Sequence, residues 1–568
     1  MENIELPDRK KVGHLVLHRD ARTITPKEFN LLSQKERLEI VRRASGSHKY
    51  NLIMEAKDPA ALVRKLPTQE VYLLLRERGL DESMELIELL TPTQIGTFID
   101  FDCWQGDQLK PEVVLNWLVL LLETKNEQQV LQLVQSMDFE LLVMMLKKFV
   151  TVIRGMEAFE NEDGLQEAIF RDGGYELGFA DSESAKIVGA FLDTLRRLEP
   201  EFYPRLMEAV RWESDSMLEE ETYQNRCNRL QDLGIPDPFE ALKVYTYLDP
   251  EQFAGVAVAR KEVLSAQADV VPPGFVMTMS EPGDLLAEVL ADNLDEKTCW
   301  ELTYLLNKVM SADRVDMGET EQVKEEMAEV FHYLNLALQY QAGGDVEAAA
   351  KQVKENYLEN LFRLGFSLTL QLQRRAKALL ASPLAPYLDG PFRALTDALC
   401  QRKPRFFEGL LEINRAGQRP FTTLSDVKLA AEWLDRLEVQ RHLFTEQFPF
   451  ALPEPAALDL SGCMPDDADD LALSDFFLTA LANRLLGRAF VPEPLAADEL
   501  PGLHALVSEG GQLRPVLRQE TAQWLESLVP GAGAFADYCL DLWQEEFCTL
   551  TPEDIDPRYV GGLIVRLG

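Results

Sequence analysis

Basic residues are in deficit in this chain: 57 lysines and arginines stand against 95 aspartates and glutamates, a formal charge of −38. A field of that sign repels phosphate backbones and anionic lipid headgroups, so nucleic acid is not an expected partner. Long apolar runs are missing too. The longest, Val113–Leu122 and Leu141–Leu146, stop at charged residues well short of the ~20 that cross a bilayer, so they read as buried helices and no membrane insertion is expected. The opening residues, Met1-Glu2-Asn3-Ile4-Glu5, lack the basic-then-apolar order of an export signal. The seven cysteines, from Cys103 to Cys548, include no Cys-x-x-Cys pair. That spacing draws neither a zinc ribbon nor a disulfide framework, and reduced thiols in a cytoplasm are expected.

Histidine is equally sparse, at six residues. His14 and His18 flank Leu15-Val16-Leu17 beside Gly13, which favours an extended segment, where rings four residues apart lie roughly 13 Å from each other and cannot share a metal. Glu329 and His332 form a single Glu-x-x-His with no second copy to complete a di-metal site. Asp466-Asp467-Ala468-Asp469-Asp470 has the charge of a calcium loop, but Leu471 follows where the loop needs glycine, so it reads as a solvated, helix-capping run. Gly531-Ala532-Gly533-Ala534-Phe535-Ala536 matches a dinucleotide fingerprint, yet it follows a helical pattern where that fingerprint follows a strand. No cofactor, metal or catalytic residue is nominated.

What the chain does have is leucine at helical spacing and repeated helix-start chemistry. Thr91-Pro92-Thr93-Gln94 offers a threonine that can accept from the backbone N–H three residues on, a proline where no N–H is needed, and a glutamine that reaches back. Thr25-Pro26-Lys27-Glu28 and Ser33-Gln34-Lys35-Glu36 repeat the device, and Leu66-Pro67-Thr68 and Leu550-Thr551-Pro552 vary it. Leu62-Val63-Arg64-Lys65-Leu66 is replayed 24 residues later by Leu86-Ile87-Glu88-Leu89-Leu90, as in a two-helix repeat whose stripe is buried only by its neighbours. This spacing resembles the helical superhelix of the cytoplasmic domain of magnesium transporters and of the flagellar rotor switch protein.

The expected fold is therefore all-α with minor β, built of stacked short helical hairpins, either solenoid-like or divided into subdomains. Residues 1–57 read as an N-terminal arm and first helices, and 58–153 as a leucine-rich helical repeat domain. Residues 154–270 read as a mixed helical segment with a small hairpin near Tyr175. Residues 284–448 form a helical domain with one tetratricopeptide-like hairpin turned at Gly343-Gly344, and 471–568 a C-terminal helical domain ending in a short strand within Val560–Val565.

Asp100-Phe101-Asp102-Cys103-Trp104-Gln105-Gly106-Asp107 places aromatics in an acidic turn, with Trp117 on the next helix. Two readings compete: a hydrophobic layer closed by aromatics at a helix end, and a partner-binding anchor made of Phe101, Asp102, Trp104, Asp107 and Trp117 with a polar rim. The stretch Phe98–Trp104 with Gly106-Asp107 and Leu115-Asn116-Trp117, together with Tyr223–Asp237, resembles a bacterial family defined only as a domain of unknown function. That resemblance implies a bacterial cytoplasmic protein and carries over no catalytic residue or ligand. The functional expectation is an adaptor or scaffold that binds another protein. Its alternatives are a regulator that senses divalent cations through acidic faces and an enzyme using carboxylate acid/base chemistry.

Overall fold

The structure, a computed structural model, describes residues 24–124, 127–154, 168–172, 174–179, 181–255, 273–278, 283–293, 295–412, 415–551 and 555–567. His14 and His18 lie outside them, as do Pro272, Glu281, Pro282 and Pro552. The fold is all-α with minor β: the described strands form small sheets of two or three. No described helix is long and apolar enough to cross a membrane. The chain gathers into two compact units. The first takes residues up to Thr246 with Gly255–Leu334 and Gln341–Arg363, and the second takes Tyr247–Ala254, Asn335–Tyr340 and the chain from Leu364 onward.

Local chemistry accounts for the helix starts of the first unit. Thr25, Ser33 and Thr91 each cap a helix, and in each the residue three on (Glu28, Glu36, Gln94) returns a bond to the cap backbone. Helix Thr68–Arg78 differs: Pro67 stands at its cap and gives no side-chain bond. A short helix precedes a longer one twice, Pro59–Val63 before Thr68–Arg78 and Met84–Ile87 before Pro92–Asp102. The leucine stripe that predicts this order, Leu62, Val63 and Leu66 followed by Leu86, Ile87 and Leu90, is buried throughout. The apolar runs become helices Pro111–Glu123 and Phe139–Lys147, with Trp117 and Leu141–Leu146 inside. Strands Ala168–Asp172 and Tyr175–Phe179 form the expected hairpin, and Val150–Arg154 pairs antiparallel on the other side of Tyr175–Phe179. Helices Thr320–Ala342 and Val346–Glu355 are joined through Gly343 and Gly344, both in the left-handed region that glycine adopts freely.

The second unit is held by an aromatic cluster. Phe448 has ring neighbours Phe450, Phe477, Phe490 and Trp524 with centroids 5.1–6.5 Å away, and Phe535 joins through Phe444 and Phe477. The expected terminal strand is shorter than Val560–Val565: it spans Val565–Arg566, between Cys463–Met464 and Leu495–Ala496. Gly561 and Gly562 turn the chain just before it, where a Cβ on Gly561 would meet Glu546. The Asp466–Asp470 run forms a 3-10 turn in which Asp467 caps Asp469. Gly531–Ala536 follows helix Pro515–Leu528 and enters helix Gly533–Trp543, with no strand before it.

Candidate functional site

Helix Pro92–Asp102 ends in two buried carboxyls, Asp100 at 1% exposure and Asp102 at 8%. Both are partnered by groups distant in sequence. Asp102 accepts from the Tyr72 phenol and, at 3.0 Å, from the Trp117 indole, with Arg76 3.8 Å away. The Arg229 fork grips Asp100 with two bonds of 2.7 and 2.8 Å and also meets Asp138. Arg226 donates to the Asp100 carbonyl at 2.9 Å. Burial pushes both carboxyls above the usual aspartate range, and the partners pull the other way. Bidentate guanidinium pairing fixes orientation as well as charge. This arrangement is a clamp: helix Asp215–Asp232 is bolted to the end of helix Pro92–Asp102.

Four of the five residues nominated as an anchor lie in the interior at that clamp. Phe101, Asp102, Trp104 and Trp117 are 8%, 8%, 5% and 1% exposed, and only Asp107 lies on the surface. Trp104 starts a two-residue hairpin turned at Gly106. Its ring packs beside Tyr223 and beneath the Arg226 guanidinium. The structure places Phe101, Asp102, Trp104 and Trp117 in the interior as the closing layer of the helix end, where they offer a partner no surface, and leaves Asp107 exposed.

Exposed apolar surface in this unit lies elsewhere. Helix Phe202–Trp212 ends on Trp212, 70% exposed, and helix Asp215–Asp232 begins three residues later and carries Met217, 66% exposed, in its first turn. The backbone turns there because Ser214 takes an extended conformation ahead of the new helix. Arg211 stacks over the Trp212 ring at 4.4 Å. Lys147 and Lys148 pair with Asp215 and Glu219, while Glu213, Glu220 and Glu221 surround the corner on exposed positions. Sequence reasoning passed over Trp212. The available signal was a tryptophan between a helix end and a Ser/Asp cap, with charged Glu208 and Arg205 four and seven residues before it.

The second unit holds a different polar cluster. Asp389 and Asp475 are 2% and 8% exposed. Ser474 donates to Asp389 at 2.5 Å, and Asp475 accepts the Ala472 N–H at 2.7 Å. Burial pushes Asp389 up to about 6 and Asp475 up to about 7, and the two repel one another. Histidine takes no part in it, and among the described residues no group of three or more His, Cys, Asp or Glu converges to hold a metal.

The chain belongs to a family of unknown function (DUF6178), whose model matches residues 26–566. No curated protein and no solved structure matches it. The segment Tyr223–Asp237 that carries the family resemblance supplies the clamp residues Arg226 and Arg229 and the Tyr223 ring.

Proposed function

We propose that the protein is a cytoplasmic helical adaptor that binds a basic protein partner at the corner formed by Trp212 and Met217. The observation that supports it is a tryptophan left 70% exposed, five residues before a methionine at 66%, while Trp104 and Trp117 of the same unit are buried. Tryptophan is the residue type most enriched among binding anchors, and a ring of carboxylates around it selects a cationic partner and speeds its encounter. The rim is acidic beyond what Lys147 and Lys148 neutralise, and the chain as a whole carries −38. The same charge disfavours nucleic acid as the partner. Stacked helix pairs suit this role because they present extended surface on a rigid support.

The test is selection of peptides from a random library on the immobilised protein, followed by binding measurements on Trp212→Ala and Met217→Ala. Selected peptides should pair basic with apolar residues. The Trp212→Ala variant should weaken them by about 2 kcal/mol or more with its melting temperature unchanged, as an exposed anchor does. Peptides that bind the variant as well as the wild type would refute the proposal. Neither cation sensing nor carboxylate catalysis gains a supporting observation among the described residues.

A further inference from the structure

We infer that a cleft at the far end of helix Asp215–Asp232 is a binding site for a guanidinium group, separate from the Trp212 corner and independent of it. The cleft encloses about 340 Å³ and lies within the first unit, at the lower end of the size of small-ligand sites. Its walls come from the turn that ends the family segment and from helices Pro238–Ala241 and Glu296–Asp313 and the start of helix Leu358–Leu380. One glycine sets its shape. Gly234 has φ +78°, and a Cβ there would stand 2.1 Å from the Tyr304 ring, so that ring rests against bare backbone. Trp300 stacks on Tyr304 from its own helix, centroids 6.0 Å apart at 25°.

The charge of the lining decides the ligand class. Glu240, Glu301 and Glu359 face the cleft against the single ammonium of Lys308, which is already paired with Glu359 at 2.7 Å. Glu301 is 8% exposed and accepts the Leu358 N–H at 2.7 Å, so it is held in place as part of the floor. Glu240 stands at the mouth, where its pairing with Lys243 at 3.7 Å is exposed on both sides and therefore weak. An anion is repelled here. No metal-ligating trio converges among the described residues, and carboxyls set beside tyrosines suit an organic cation.

The cleft is larger than an ammonium needs, and Tyr304 and Tyr357 are among the residues that line it. Burial pushes the Tyr304 phenol upward, so its oxygen stays a neutral hydrogen-bonding group. A flat cation with five N–H donors and apolar faces matches carboxyls and phenol oxygens set among aromatic rings, whereas a strongly hydrated ammonium does not. Phe239 and Leu242 flank Glu240 and are 75% and 43% exposed. Close to Glu240 in sequence, they would be the apolar contacts for the remainder of a chain bearing an arginine. The same chemistry is offered by free arginine and by an arginine side chain of a protein segment.

Calorimetric titration of the full chain with five probes tests this: L-arginine, N-acetylarginine amide, a hexapeptide with one arginine flanked by leucines, L-citrulline as the uncharged isostere and L-lysine as the ammonium counterpart. Saturable binding of at least one guanidinium compound is expected, with citrulline at least tenfold weaker. Glu240→Lys should weaken that binding at least tenfold while the circular dichroism and melting temperature hold, and Trp212→Ala should leave it unchanged. Tighter binding of the hexapeptide, reduced by Phe239→Ser, assigns the site to a protein partner. Equal binding of free arginine, indifferent to Phe239→Ser, assigns it to the free compound. The inference is overturned by absence of saturable binding, by citrulline or lysine binding as well as arginine, or by an unaffected Glu240→Lys variant.

Discussion

Replacing Asp475 by asparagine should stabilise the second unit at pH 8 and leave its stability unchanged at pH 4. The carboxyl is buried, which pushes it up to about 7, and repulsion from Asp389 and Glu546 adds to the effect while the Ala472 N–H opposes it. In the unfolded chain it titrates near 3.8. Between those values the folded state keeps a proton that the unfolded state has released, so stability falls as pH rises from about 4 to about 7 and is then flat. At about 1.4 kcal/mol per pH unit, the full cost of the ionised carboxylate at pH 8 is on the order of 4 kcal/mol. Asparagine cannot ionise, and its carbonyl oxygen still accepts the Ala472 N–H. The change also relieves Asp389, which is itself pushed up to about 6 by burial. Asp426 and Glu499 shift downward through their arginine partners and backbone N–H groups, so they lose stability as pH falls. Both contributions cancel in the difference between variant and wild type. Urea unfolding of the pair at pH 4, 5, 6, 7 and 8 should therefore give a difference near zero at pH 4 that grows to a few kcal/mol by pH 8. A variant less stable than wild type at pH 8, or a difference independent of pH, would refute the reasoning.

Two further predictions concern the first unit. Trp104→Ala should lower stability by ~3–5 kcal/mol, the cost of emptying a well-packed aromatic site, and a melting temperature within a degree of wild type would contradict its burial against Tyr223 and Arg226. Thr91→Ala should cost about 1 kcal/mol by removing one half of a reciprocal cap, whose two bonds measure 3.2 and 2.9 Å. Thermal or urea unfolding reads both, and a neutral Thr91→Ala would mean that the cap does not hold this helix.

What was legible in the sequence is what is decided locally. A threonine, a proline and a glutamine within four residues contain the whole of the cap at Thr91, and the structure has it. The burial of Leu62, Leu66, Leu86 and Leu90 follows from spacing alone. The Trp104 turn was ambiguous because its surroundings are supplied from afar. Asp100 and Asp102 next to an aromatic read as a solvated rim until Arg229, 129 residues from Asp100, and Tyr72, 30 residues from Asp102, are seen to hold them. Asp389 and Asp475 escaped notice for a related reason. Asp389 precedes Gly390-Pro391 and Asp475 sits in a first helical turn, and each has a complete local explanation as a helix-start residue. Only the packing of two helices brings them into one buried cluster.

The family segment acquires a physical meaning when the functions of helix Asp215–Asp232 are taken in order along its 18 residues, a span of roughly 27 Å. Its first turn carries Met217, five residues after the exposed Trp212, its second half carries Arg226 and Arg229, and the turn after its last residue carries Gly234 against Tyr304. Arg226 and Arg229 line neither proposed site, yet they contribute the strongest charged contacts of the region. Removing one partner of such a buried pair leaves the other charge uncompensated, at a cost of about 3–5 kcal/mol. The clamp therefore restrains the angle and register of a helix whose two ends are the places where recognition is proposed. Sites built on a rigid helix keep their geometry better than sites on loops. A protein that binds through both ends of one helix has reason to place its best ion pairs between them, on residues that line neither site.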